Sequence, residues 1–303
     1  DIKDNTSPAY PAKAMEKYSP TNYKKAINTY DNYKNYIKKL KDNGFYVIGR
    51  ITVFKDSYFV KDHPETAIKD NNGKALKHNS SYWPSAYNRY VWEFNIELAK
   101  ESVRDIGFDE IQFDYVRFPD QTRYLEINKK INYSNTYGET KAQALQAFAM
   151  YACDEIHQLH AYVSIDVFGE SVHDYVTAYG QYWPALTNVV DVMSGMPYPD
   201  HFDAHQYGFK EVTWTVPYKL LKHWGSLVVN KQKLVPTPAK VRTWIQAYDT
   251  NWKTPKVTYD ANKVSEEIKG LYDNGLTAGY MTWNSGSNIS KYRSIGAAFR
   301  KEY

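Results

Sequence analysis

Apolar positions along the chain fall into short runs, each following a stretch with helical spacing. Tyr23 to Leu40 repeats apolar and aromatic residues at helical intervals, and Asn43-Gly44 behind it is a C-terminal stop signal. Tyr46 to Val53 (YVIGRITV) then reads as a strand. The same alternation recurs with Tyr90 to Val103, stopping near Gly107, before Ile111 to Asp114, and with Lys141 to Leu159 before Tyr162 to Val167 (YVSIDV). Val189 to Met193 (VVDVM) follows Trp183-Pro184, and Val241 to Gln246 (VRTWIQ) follows Tyr218 to Leu221 and a Pro-containing loop. Ala278 to Trp283 (AGYMTW) follows the helix Ala261 to Tyr272, which ends at Asn274-Gly275.

Helix followed by short apolar strand, six times over, is the pattern of a parallel α/β sheet. No linker, low-complexity stretch or charge block interrupts it, so residues 1–303 are expected to form a single domain. Six strands are two fewer than a closed (β/α)₈ TIM barrel needs. Asp1 to Asp4 reads as the tail of an earlier strand. The expected fold is therefore an N-terminally incomplete TIM barrel, lacking its first strand and helix and most of its second strand. An intact, smaller open sheet is the alternative. Long loops, Lys55 to Tyr87 and Pro197 to Val212, follow strands, where barrel enzymes place substrate sites.

Composition narrows the function classes. Hydrophobic residues make up 43% and charged residues 24%, as in ordinary globular proteins, and no apolar run approaches the roughly 18 residues that span a membrane. The net charge is only +4, and Lys38, Lys39 and Lys41 read as a solvated helix face, so no nucleic-acid partner is expected. Cys153 is alone and sits in an Ala-rich helical pattern, so it reads as a buried inert thiol. Aromatic residues are abundant, with 29 Tyr, 8 Trp and 12 Phe. Such rings, apolar on the face and polar at the edge, suit stacking on sugars, although a Tyr-rich surface from an AT-rich genome reads the same way.

Polar residues gather where the strands end. Arg50 lies inside the first run, with Asp56 beyond it; the second ends in Asp114 with Arg117 three residues on; the third gives Asp166 and, past a turn, Glu170. The fourth leads into Tyr198 and His201, the fifth carries Trp244 and Gln246, and the sixth Trp283 and Asn284. Together they describe a polar, aromatic-walled pocket. Asp114 and Asp166 on neighbouring strands are what glycoside hydrolysis needs: one carboxylate as nucleophile or base, one protonated to assist the leaving oxygen. Arg117 or Arg50 would tune Asp114, and Glu170 competes with Asp166 for the acid role. An ion-pair network without catalysis is the bland reading of the same residues. His201/His205 (HxxxH) and His157/His160 lack a metalloprotease-type context, so no metal is expected. No GxGxxG, phosphate-binding GxxxxGK[ST] or GxSxG motif occurs, and no cofactor is expected.

Taken in order, the segments DIKDN (1–5), GRITVFKD (49–56), GFDEIQFDYVRFP (107–119), SIDVFG (164–169), MPYPDHF (196–202), VRTWIQAY (241–248) and GYMTWNSGSNIS (279–290) resemble a bacterial family of glycosidase-like TIM-barrel proteins formerly classed as a domain of unknown function. The resemblance runs from residue 1 almost to the end. It implies that DIKDN closes the second barrel strand, with Asp114 on the fourth and Asp166 on the fifth. Asp200 departs from the pattern, which usually has serine before the histidine. The resulting expectation is a glycosidase, extracellular or at the cell surface, acting on a polysaccharide or oligosaccharide. Asp114, Asp166 and Glu170 are its catalytic candidates; Arg50, Asp56, Arg117, Tyr198, His201, Trp244, Gln246, Trp283 and Asn284 are its substrate-binding candidates. Two rivals stay open: a non-catalytic carbohydrate-binding barrel at the cell surface, and a metal-dependent deacetylase, which would require His201 and His205 to converge with an aspartate. Sugar identity, linkage, stereochemistry and oligomeric state are not legible.

Overall fold

The computed structural model describes residues 1–303, which divide into two units: Asp1–Asp166 with Tyr175–Asp191, and Val167–Asp174 with Val192–Tyr303. The first unit holds strands β1 (Lys3–Asp4), β2 (Ser7–Pro8), β3 (Ile48–Thr52), β4 (Lys77–His78), β5 (Ser81–Tyr82), β6 (Glu110–Asp114) and β7 (Tyr162–Phe168), the last two residues of β7 counting with the second unit. Its helices are α1 (Lys13–Tyr18), α2 (Pro20–Lys24), α3 (Tyr30–Asp42), α4 (Ser57–Asp62), α5 (Arg89–Glu101), α6 (Thr122–Lys129), α7 (Lys141–His157) and α8 (Trp183–Thr187). The sheet order is β2-β1-β3-β6-β7; β1, β3, β6 and β7 run parallel, and β2 is antiparallel to β1. β4 and β5 form a separate hairpin.

Alternation along these strands fixes what each face does. Ile51 lies level with Phe113, and Phe113 with Ile165, so one face is apolar. The ring of Phe148 on α7 packs edge-on against Phe113 at 5.4 Å and against Trp92 of α5 at 5.7 Å, covering that face. Gly49 is required where the sheet meets the N-terminal segment, because a Cβ there would stand 2.5 Å from Ile2 Cδ1. The opposite face carries Arg50 and Thr52, Gln112 and Asp114, Ser164 and Asp166, all buried. A parallel sheet covered on both faces by helices ordinarily reads as a near-continuous apolar run. Here one buried face is polar.

The second unit pairs β8 (Val192–Met196) with β9 (Lys240–Val241), and β10 (Thr243–Gln246) with β11 (Tyr280–Trp283), both in parallel. Its helices are α9 (Pro217–Gln232), α10 (Ala261–Tyr272) and α11 (Ile289–Ile295). α9 and α10 touch backbone to backbone at Gly270, where a Cβ would lie 2.8 Å from the Tyr218 carbonyl oxygen.

Several element boundaries differ from the expected ones. The run Val189 to Met193 is not a strand throughout: Val189 and Val190 N–H groups close on Leu186 O and finish α8, and the strand begins at Val192. Tyr23 to Leu40 is two helices, because Asn28 turns aside to bond Ala9 O and Thr29 caps a new helix through Asn32 N. The helix α5 ends in a π-turn, Ser102–Ile106, that runs to Gly107 at φ +99°. Val241 to Gln246 is interrupted at Arg242, whose N–H bonds Met193 O. Cys153 is buried, with its thiol on Val189 O and its pKa pushed up to about 12 by burial.

Candidate active site

In the first unit the site is built by register. Thr52 is level with Asp114, and the pairing of Phe113 with Ile165 sets Asp114 level with Asp166 one residue on. Thr52 and Asp114 end their strands and Asp166 lies two residues short of the end of β7, on neighbouring parallel strands about 4.8 Å apart. Arg50, one pleat earlier on β3, reaches along the row. Its Nε and Nη2 donate to Asp114 Oδ2 at 3.0 and 2.6 Å, and its Nη1 reaches Asp1 Oδ1 at 3.1 Å and Asp4 Oδ2 at 3.6 Å. Burial alone would lower the Arg50 pKa, but Asp114, Asp4 and Asp166 outweigh it and hold the guanidinium charged above its ordinary value. Of the two arginines expected to tune Asp114, Arg50 is the one seated on it. Arg117 pairs with Asp120 at 2.7 Å and lies over the rings of Tyr115 and Trp83.

The other oxygen of Asp114, Oδ1, accepts the Tyr115 N–H at 2.6 Å. Tyr115 has φ +53°, a left-handed conformation that costs a bulky residue energy and that clusters at functional sites. Asp114 thus receives hydrogen bonds at both oxygens, the arrangement of a carboxylate serving as acceptor rather than proton donor. Asp166 is 1% exposed; the Gln181 side chain spans its carbonyl oxygen and that of Val116. Asp4 lies beside the row: burial raises its pKa, but Arg50 and the Thr52 hydroxyl leave it below its usual value. Asp56 has a different task. Its carboxylate caps α4 at Phe59 N and pairs with the fully buried Lys3 at 2.7 Å.

In the second unit, Glu170 stands exposed in the turn Gly169–Val172. Tyr198 is buried, with the half-exposed His201 ring edge-on to it at 5.1 Å. Trp244 and Trp283, on paired strands β10 and β11 two residues out of register, meet at right angles with centroids 5.9 Å apart. Gln246 is fully buried: its Nε2 donates to Tyr248 O and Thr250 Oγ1, and its Oε1 accepts from Asp200 N. Asn284 Nδ2 bonds Ala247 O. Both amides therefore brace loops.

Sequence reasoning missed the partners of this network. Tyr248 donates its hydroxyl to Asp200 Oδ1 at 2.8 Å, and Gln246 N donates to Glu267 Oε1 at 3.2 Å. Burial pushes the Glu267 carboxyl well above the usual range, which the Gln246 hydrogen bond only partly opposes. His205 Nδ1 is bonded to Phe209 O and His157 to Asp191, and no three His, Cys, Asp or Glu residues group to share an ion.

One family model, described as "Putative glycosyl hydrolase domain", matches residues 1–289. The chain belongs to that family. Among solved structures, the glycoside hydrolase domain of PgaB (BpsB) from Bordetella bronchiseptica is 14% identical, with 84% of this chain and 76% of that one covered at a TM-score of 0.58. A class V chitinase from Pseudomonas fluorescens Pf-5 is 11% identical, covering 98% and 100% at a TM-score of 0.57. A hypothetical protein from Ruminiclostridium thermocellum is 34% identical over 55% of this chain and 80% of that one, with a TM-score of 0.44. A search of the curated proteins returns no match. The fold shared with the PgaB domain and the chitinase is mixed α/β with mostly parallel strands. No helix is long and apolar enough to cross a membrane.

Proposed function

We propose that the protein is a glycosidase that cleaves a polysaccharide with Asp114 and Asp166. The observation that carries this is their placement: side by side toward the C-terminal ends of parallel strands, on a buried polar face, with Arg50 beside both. A buried polar strand face with its carboxylates at the C-terminal ends is what the interior of a (β/α)₈ barrel enzyme requires, and supports that closure here. The family match covers both units, in favour of a single domain.

Asp114, bound as an acceptor by Arg50 and Tyr115 N, takes the role of nucleophile or general base. Asp166, buried in the same row, takes the role of general acid; Glu170, exposed in its turn, is the alternative acid. Arg50 orients Asp114, and Arg117 holds the loop beyond it through Asp120. Tyr198, His201, Trp244 and Trp283 supply sugar contacts, while Asp56, Gln246 and Asn284 keep the surrounding loops in place. On this reading the substrate is met outside the cell or at its surface, as the bacterial family resemblance implies.

Reducing-end release from a panel of bacterial surface polysaccharides tests the proposal. The parent should release ends, and Asp114→Asn and Asp166→Asn should each lower the rate by at least roughly 10²–10⁴-fold while staying folded. Binding without release, unchanged in both variants, would make the protein a sugar-binding barrel.

A further inference from the structure

Beyond the strand-end row, the second unit carries an open cavity of about 550 Å³ where the chain leaves β10 and β11. Tyr248, Asp249, Asn251, Asn284, Asn288 and Lys291 form much of its wall. Its charges cancel, since Lys291 Nζ donates to Asp249 Oδ1 at 2.5 Å. The remaining polar groups are uncharged amides and hydroxyls. Asn284 is held on both sides, by Ala247 O and by Asn288 N, whereas the exposed carboxamide of Asn251 bonds nothing in the chain.

Next to this wall stands Trp252, 65% exposed, stacked on Tyr248 with centroids 5.9 Å apart and planes 22° from parallel. Large apolar rings left in water are unfavourable, and this one is held there by its neighbours. Tyr248 is fixed behind it by Asp200 and by the edge of Tyr198. The loop itself is closed by paired hydrogen bonds between Thr250 and Val257, and Lys253 lies over Trp214, whose indole N–H bonds Pro255 O. A flat ring presented on an anchored loop beside uncharged amides is a preorganised platform for one face of a sugar ring and its hydroxyls.

We propose that Trp252 and the adjoining amide-lined cavity form a binding subsite for an uncharged pyranose unit of a polysaccharide, discriminating against uronic acids and free amino sugars. The proposal rests on the polysaccharide reading above, and binding can be measured apart from cleavage. Affinity electrophoresis through gels containing hydroxyethyl cellulose or glycol chitin provides neutral probes; polygalacturonate and chitosan provide charged ones.

The parent should be retarded by a neutral polymer, equally at about 50 and about 500 mM salt, since no net charge is used. Trp252→Ala should weaken that retardation about fivefold, and Asn251→Ala about twofold, with melting temperatures unchanged. Absence of retardation by either neutral polymer, retardation by the charged polymers alone, or parent-like retardation of Trp252→Ala would each overturn the subsite. Neutral binding without any reducing-end release would remove the two-carboxylate proposal and leave the subsite standing.

Discussion

Asp114 in the first unit and Glu267 in the second are both buried carboxyls, and the protein treats them in opposite ways. Asp114 is surrounded by donors: two from Arg50 and one from the Tyr115 backbone. Glu267 has one backbone donor, from Gln246, no counter-ion among its hydrogen bonds, and an Oε2 without a partner. A carboxylate taken out of water must be paired or take up a proton. The first unit sets its buried carboxyl beside a cation; the second buries Glu267 without one and, around Tyr248 and Asn284, presents rings and amides beside a single mutually neutralising pair, Asp249 and Lys291. On the functions proposed above, chemistry that needs a charged acceptor would fall to the former, and recognition of neutral hydroxyls to the latter.

The contrast is broken most severely at Arg50. Arg50→Met leaves Asp114, Asp4 and Asp166 without their shared cation, and removing one partner of a buried pair costs about 3–5 kcal/mol. Asp114→Asn should cost much less, because Arg50 keeps Asp1 and Asp4. Urea unfolding at neutral pH checks the order. Equal losses for the two variants would mean that Arg50 serves Asp114 alone.

This asymmetry also explains what the sequence could show. Asp114 was legible because an apolar run, Ile111 to Phe113, ends on it just where a parallel strand should stop. The sequence offered Arg50 and Arg117 as its cation without choosing between them, because Arg50 lies 64 residues away and reaches Asp114 only through the β3–β6 register. Arg117, close in sequence, was equally plausible until the left-handed Tyr115 took the chain out of the strand direction. Nothing local marks a tyrosine for that conformation. Glu267 did leave a signal: it falls beside Ile268 on the face of α10 that carries Val264 and Leu271, the stripe that is buried. The helix break at Asn28-Thr29 was hidden because apolar spacing ran through it, although Thr29 is a good cap.

Glu267 sharpens the comparison through pH. Its pKa is raised on folding, so the folded protein keeps a proton that the unfolded chain gives up above about 4.5. Stability should therefore fall as pH rises from that value toward the folded pKa. Glu267→Gln supplies a neutral group of the same shape and removes this slope. The melting temperature of Glu267→Gln relative to the parent should rise with pH from about 4.5 until the folded pKa is reached. A difference that stays constant would mean that Glu267 is ionised when folded, and the second unit would then hold an uncompensated charge.

The smallest effect is expected at Asp4, and it has the opposite sign. Its pKa is lowered in the folded protein, despite burial, by Arg50 and the Thr52 hydroxyl. Its contribution is present above the ordinary value of 3.8 and is lost as pH falls through the lower folded value. Asp4 is 40% exposed, so solvent screening keeps the contribution under about 1 kcal/mol. Asp4→Asn should lower stability slightly at neutral pH and flatten the acid side of the stability profile, with the alkaline side unchanged. The two carboxyls would then bracket the profile: Asp4 shaping its acid side through an ion pair, Glu267 its fall toward neutrality through burial. An Asp4→Asn profile that moves on the alkaline side instead would place the coupling elsewhere than Arg50, because neither Asp4 nor that guanidinium titrates there and their pairing adds no slope.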